Sequence, residues 1–267
     1  MTWHVLLLAN PSVLFRDCHN TTTNERSVET VCSADKVMNK ETYCLFEKFM
    51  LSCMTDTAHD KEHVYRVLYN ALEIAGEENN VNYDILIAAC LLHDIGRKEQ
   101  FENPALCHAE VGSEKAYQFL LAHGFETSYA EQVKQCIQTH RYRKSNPPQS
   151  LEAKILFDAD KLDVAGAIGI ARTLVYKGIV SEPLYNMLPD GTVSTGENDV
   201  APSFFQEYKY KLEKIYSSFY TKKAVEIAKE RQHSAIEFYN SLYQEVNLSY
   251  RNGINELNRL LEDYDRR

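Results

Sequence analysis

From Met38 onward the apolar residues of this chain recur every three or four positions, and nowhere with the period of two that a half-buried strand requires. That pattern confines the fold, because helical stripes can be buried only against other helices. Tyr43, Phe46, Phe49 and Met50 form a first stripe. A second follows the Thr-rich turn at Thr55 and Thr57, through Val64, Val67, Leu68, Ala71, Leu72 and Ala75. Residues 85–92 are almost continuously apolar, as in a helix buried on most sides. Further helices are predicted over residues 109–123, 130–140 and 151–177, the last two parted by Asn146-Pro147-Pro148. Tyr208, Leu212, Ile215 and Phe219 stripe one more helix; Ala224, Ala228, Ala235, Phe238 and Leu242 stripe another. Residues 186–203 are polar, contain Asp190-Gly191 and Pro202, and read as a long surface loop of the functional or mobile kind.

The expectation is therefore an all-α chain: a single domain over residues 38–246, a poorly structured extension at 1–37, and a tail at 247–267 that holds one short amphipathic helix after Asn252-Gly253. The extension opens with an apolar run at residues 3–9, but no Lys or Arg precedes it, which argues against a secretory signal. A loosely packed extension is favoured over a weak mitochondrial-type leader. No stretch approaches the roughly 18 apolar residues of a membrane helix. Seven cysteines without a CxxC pair suit neither a disulfide framework nor a zinc ribbon. Buried reduced thiols such as Cys90 fit a cytoplasmic protein.

Composition then narrows the partners. A net charge of −9 speaks against polymeric nucleic acid and against a membrane surface. It allows a small anionic substrate if basic residues gather locally. Arg97-Lys98 follows a His-Asp pair, Arg141, Arg143 and Lys144 follow His140, and Lys161 follows Asp160. Such clusters can clamp a phosphate; the alternative for Arg97 and Lys98 is a solvated helix end. The oligomeric state is not legible.

Nine histidines matter here through their placement. His63 opens an amphipathic helix. His93 and Asp94 close the most apolar segment, where polar groups must be paired or must bind something. Asp158, Asp160 and Asp163 interrupt another apolar helix; Asp160 and Asp163 share a face, and Asp158 points elsewhere. A metal ion accounts for these residues economically, and mixed imidazole and carboxylate ligands suit manganese, iron, zinc, nickel or cobalt more than calcium.

His63, then Leu92-His93-Asp94-Ile95-Gly96, then Asp158-Ala159-Asp160-Lys161-Leu162-Asp163 resemble the H…HD…D signature of the HD-domain metal-dependent phosphohydrolases. The run from Ala165 to Arg172 is similar to a bacterial subgroup that includes deoxynucleoside triphosphate pyrophosphohydrolases. The resemblance implies a compact HD-domain helical bundle with additional C-terminal helices. It implies His63, His93, Asp94 and Asp160 as metal ligands, with Mn²⁺ favoured and Fe, Ni, Co, Zn or Mg as alternatives. Asp94 would also orient the attacking water, Lys161 would sit near a substrate phosphate, and Asp163 would orient it or a water. Asp60 matches the family's His59-Asp60 entry string and is expected to cap a helix. His108 and His140 would hold a second metal or face the substrate, with a plain surface role as the alternative. The implied reaction is hydrolysis of a nucleoside or deoxynucleoside triphosphate to the monophosphate and pyrophosphate. Alternatives are another phosphomonoester or phosphodiester, or oxygen chemistry at a di-iron site.

Overall fold

A computed structural model describes residues 38–54, 61–141 and 146–266; the extension at 1–37, the His59-Asp60 string, Arg143 and Lys144 lie outside the described residues. Every regular element among the described residues is helical: α1 Lys40–Cys53, α2 Lys61–Ala75, α3 Tyr83–Leu92, α4 Arg97–Glu102, α5 His108–Ala122, α6 Thr127–Thr139, α7 Leu151–Leu162, α8 Gly166–Ile179, α9 Phe204–Tyr210, a 3-10 helix Leu212–Ser217 and α10 Lys222–Asp265. None of the helices is long and apolar enough to cross a membrane.

Helix α3 is the hub. Asn82 caps its start by accepting the Ile85 amide, and Leu86, Ala88, Ala89, Cys90, Leu91 and Leu92 are all fully buried. A helix with no polar face must be surrounded, and α3 packs on α1, α2, α6 and α7. Each fully buried leucine in this core contributes about 1.5–3 kcal/mol. Cys90, Cys107 and Cys136 are buried free thiols. A second, smaller core forms where α8, α9 and α10 meet, around Ile170, Phe204, Phe205, Tyr208 and Tyr239. The Tyr208 and Tyr239 rings stack there, 4.2 Å apart.

Three elements differ from the periodicity reading. The helix expected over residues 151–177 is two helices, because the chain turns at Gly166, whose φ of +70° favours glycine. The stripe from Tyr208 to Phe219 is broken up: Tyr208 lies in α9, Leu212 and Ile215 in the 3-10 helix, and Phe219 beyond both. The chain after Asn252-Gly253 is helical, but as the continuation of α10, which runs unbroken for 44 residues. The loop at residues 186–203 is tied down: Asn186 and Ser194 both donate to the Asp199 carboxylate, and Tyr239 donates to the Thr195 carbonyl.

Asp158, fully buried, points away from Asp160. Its carboxylate accepts the Tyr220 and Thr221 amides and the Thr221 hydroxyl, so it caps the start of α10 and ties that helix to α7.

Candidate metal centre

Five helix ends converge on one point. His63 stands in the first turn of α2, and His108 is the first residue of α5. His93 and His140 follow the last residues of α3 and α6, and Asp160 lies in the last turn of α7. A helix end leaves backbone carbonyls without partners, and two of the histidines use them. His93 Nδ1 donates to the Cys90 carbonyl at 2.8 Å, and His140 Nδ1 donates to the Ile137 carbonyl at 2.6 Å. His108 Nδ1 donates to the Gln100 side-chain oxygen at 2.7 Å, and His63 Nδ1 to Asp163 Oδ2 at 2.7 Å.

All four acceptors are oxygens, and the tautomers follow from that. Each Nδ1 carries a proton, so each neutral ring presents a bare Nε2 to the interior. The Nε2 atoms of His93 and His63 lie 3.4 Å apart, and those of His108 and His140 lie 3.3 Å apart. Lone pairs at that separation repel unless a cation or proton stands near them.

Asp94 lies between the two histidine pairs. Its Oδ2 is 3.4 Å from His63 Nε2 and 3.6 Å from His93 Nε2, while its Oδ1 is 3.6 Å from both His108 Nε2 and His140 Nε2. Both oxygens are buried without a hydrogen bond of ordinary geometry; Arg97 Nε stands 2.9 Å from Oδ1 but is misaligned. Asp160 Oδ1 completes the first group, 3.3 Å from His63 Nε2 and 4.0 Å from His93 Nε2. Two triads result, His63–His93–Asp160 and Asp94–His108–His140, each with the spacing of a metal site.

The residues fit a divalent cation. An ion bound at roughly 2.1 Å holds neighbouring ligand atoms about 3.0–3.4 Å apart, close to most of these separations. A buried carboxylate with no conventional partner, facing four bare imidazole nitrogens, is the donor set such an ion satisfies.

The electrostatics agree. Burial keeps His93 neutral, with its pKa pushed down to about 4, and burial likewise drives His108 down to about 2. Burial opposes ionisation of Asp94, but Arg97 and the surrounding histidines outweigh it and hold the carboxyl well below the usual range. For His63, burial is outweighed by the neighbouring carboxylates of Asp160, Asp163 and Asp94, which push its pKa up to about 10. With no cation present, a proton on His63 answers those carboxylates. A metal ion must displace it.

Glycine permits the assembly. A Cβ on Gly96 would stand 2.4 Å from the His108 carbonyl oxygen and 2.5 Å from the Gly112 amide nitrogen, so only glycine lets the His93–Gly96 turn approach α5 this closely.

Other expected residues stand elsewhere. Asp163, almost fully buried, faces away from Lys161: it holds His63 and is gripped by Arg66 Nε at 2.7 Å and Arg172 Nη1 at 2.7 Å. Lys161 Nζ donates to the Ser218 carbonyl and lies near the Phe157 and Phe219 rings, outside the histidine cluster. Burial pushes its pKa down to about 8. Lys98 pairs with Glu102 on the exposed side of α4. Arg141 is exposed and reaches the Cys107 thiol beside His108. Gln100, Arg66 and Arg172 join the site although none is among the residues expected there. Arg66 falls one turn beyond His63, and Arg172 lies inside the Ala165–Arg172 run, so both carried a weak signal; Gln100 carried none.

An HD-domain family model matches residues 61–165, the span from α2 to the end of the Asp160 helix. A predicted HD superfamily hydrolase of known structure, from an uncultured Thermotogales bacterium, is 30% identical; the match covers 75% of this chain and 90% of that one, with a TM-score of 0.52. The chain belongs to the HD superfamily of hydrolases. An HD-superfamily hydrolase from Bacillus thuringiensis is 26% identical over 78% of this chain and 98% of its own, with a TM-score of 0.59. The uncharacterized protein YpgQ of Bacillus subtilis is 29% identical over 201 residues, 73% of this chain and 89% of YpgQ.

Proposed function

We propose that this HD-superfamily member is a metal-dependent phosphohydrolase of the cell interior that cleaves nucleoside or deoxynucleoside triphosphates to the monophosphate and pyrophosphate. The observation that carries the reading is the pair of triads, with Asp94 of the second reaching the two histidines of the first through its Oδ2. His63, His93, Asp160 and Asp94 Oδ2 would hold one divalent cation, Mn²⁺ by preference; Asp94 Oδ1, His108 and His140 would hold a second. Such ions, when bound, neutralise phosphoryl oxygens and acidify water near neutral pH.

The protein's own groups supply the rest. Asp163, gripped by Arg66 and Arg172, keeps the His63 ring oriented and its Nε2 available. Asp160 is the partly exposed member of the cluster, with 20% of its side chain accessible, and marks the side open to solvent. Arg97 next to Asp94 and Arg141 beside His108 place positive charge at the same centre for an anionic substrate. Arg143 and Lys144 belong to the same basic group by sequence. Nucleotide as the substrate class rests on the relatives: YpgQ has been crystallised in complex with ADP.

The test is incubation of metal-stripped protein with a panel of triphosphates and Mn²⁺, measuring pyrophosphate, orthophosphate and triphosphate separately. Mn²⁺-dependent pyrophosphate release is expected. Orthophosphate or triphosphate as the first product would overturn the cleavage site. The second triad also supports one competing reading, oxygen chemistry at a di-iron centre. Two irons per chain with redox-active spectra, and no phosphohydrolysis, would replace the proposal with that one.

A further inference from the structure

Beyond Tyr250, whose ring meets that of Tyr185 at the rim of the second core, the last part of α10 stands apart from both cores. Every residue from 248 to 264 is exposed, although the helix continues to Asp265. A lone helical stretch of that length is marginal in water, and Gly253 within it weakens it further relative to alanine. Intrahelical ion pairs contribute little at such exposure: Arg259 with Glu256 and Asp263, and Arg266 with Glu262.

The apolar residues of this stretch are ordered. Tyr250, Ile254, Leu257, Leu261 and Tyr264 follow one another at spacings of 4, 3, 4 and 3, the a/d seam of a coiled coil. Ile254 is 43% exposed, Leu257 55%, Leu261 52% and Tyr264 70%, and Leu260 beside them is 42% exposed. In that register Glu256, Arg259, Glu262, Asp263 and Arg266 fall on the b, c and f positions, the face away from the seam, while Arg251 and Asp265 take e positions at its edge. An apolar line bare of charge, backed by charges paired among themselves, has the form of a helix that meets another helix.

We propose that this seam pairs with the same seam of a second copy of the chain, as a two-helix coiled coil that joins two domains. The area is sufficient. Six side chains with on the order of 100 Å² each still exposed would bury about 600 Å² per helix and about 1,200 Å² in the pair, above the roughly 1,000 Å² that a specific interface needs. A seam of 3.5-residue period is matched by a partner of that same period, which the second copy supplies. A lipid surface fits less well: residues 248–267 carry four arginines against four acidic residues and no lysine, whereas surface-binding helices carry a strongly cationic face.

The test is sedimentation equilibrium of the full chain, wild type against Leu257→Glu/Leu261→Glu. Both positions are exposed and remote from the histidine centre, so the variant should fold and retain hydrolysis per chain. The wild type should sediment at twice the chain mass and the double variant at the chain mass. Amides over residues 254–264 should be protected from hydrogen exchange in the wild type only. Glu256→Ala/Arg259→Ala, on the outer face, should leave the dimer intact. A monomeric wild type would overturn the proposal and assign the seam to another part of the chain or to a different partner. So would a dimer that the double glutamate variant leaves unchanged, or an assembly larger than two.

Discussion

The two triads are built from the same parts and braced differently. Each contains two histidines, and in each triad one of them donates its Nδ1 proton to a carbonyl at the end of its own helix, His93 to Cys90 and His140 to Ile137. The remaining histidines diverge. His63 is oriented by the carboxylate of Asp163, itself gripped by two arginines, whereas His108 is oriented by the neutral amide of Gln100, whose other end donates to the Leu106 carbonyl. A carboxylate behind an imidazole raises its basicity and fixes it more firmly than an amide does. The first triad should therefore bind its ion more tightly than the second, with Asp94 as the residue on which both depend.

That asymmetry can be broken in steps. Asp94→Asn removes the shared charge and should abolish hydrolysis and deplete both ions while leaving the helical content, read by circular dichroism, unchanged; retained activity would remove Asp94 from the centre of the account. Asp163→Asn should come next, weakening ion binding at the first triad or activity by about 10–100-fold. A loss at the second triad instead would mean that the bracing does not act locally. Gln100→Ala should fall near the lower end of that range and touch only the second ion, seen as a weaker second step in a metal titration. Lys161→Met should have the smallest effect: a stability loss of about 1 kcal/mol from the bond to the Ser218 carbonyl, with kcat near wild type. A collapse of kcat in that variant would restore Lys161 to the phosphate.

Much of this architecture was legible in the sequence, for identifiable reasons. The all-helical fold followed from periodicity, since a 3.6-residue stripe admits few other solutions. His93 and Asp94 stood out because polar residues at the end of a fully apolar helix need a purpose, and His63 and Asp160 joined them through the family signature. What stayed hidden was direction. Lys161 neighbours Asp160 in the chain, yet on a helix it points about 100° away, towards Ser218 and Phe219. Asp163 shares a face with Asp160 but meets the far side of the His63 ring. Gln100 sits on a helix of six residues, too short for any pattern. Asn252-Gly253 looked like an ending, but one glycine costs too little by itself to end a helix.

Six side chains, with Asp94 at their middle, make up the proposed centre for two divalent cations. Metal content after equilibration of the stripped protein with Mn²⁺ tests it most directly, by mass spectrometry on wild type and His108→Ala. Two ions per chain, falling to one in the variant, is the predicted result; wild type that takes up no stoichiometric metal, or a variant that still holds two ions, would contradict it.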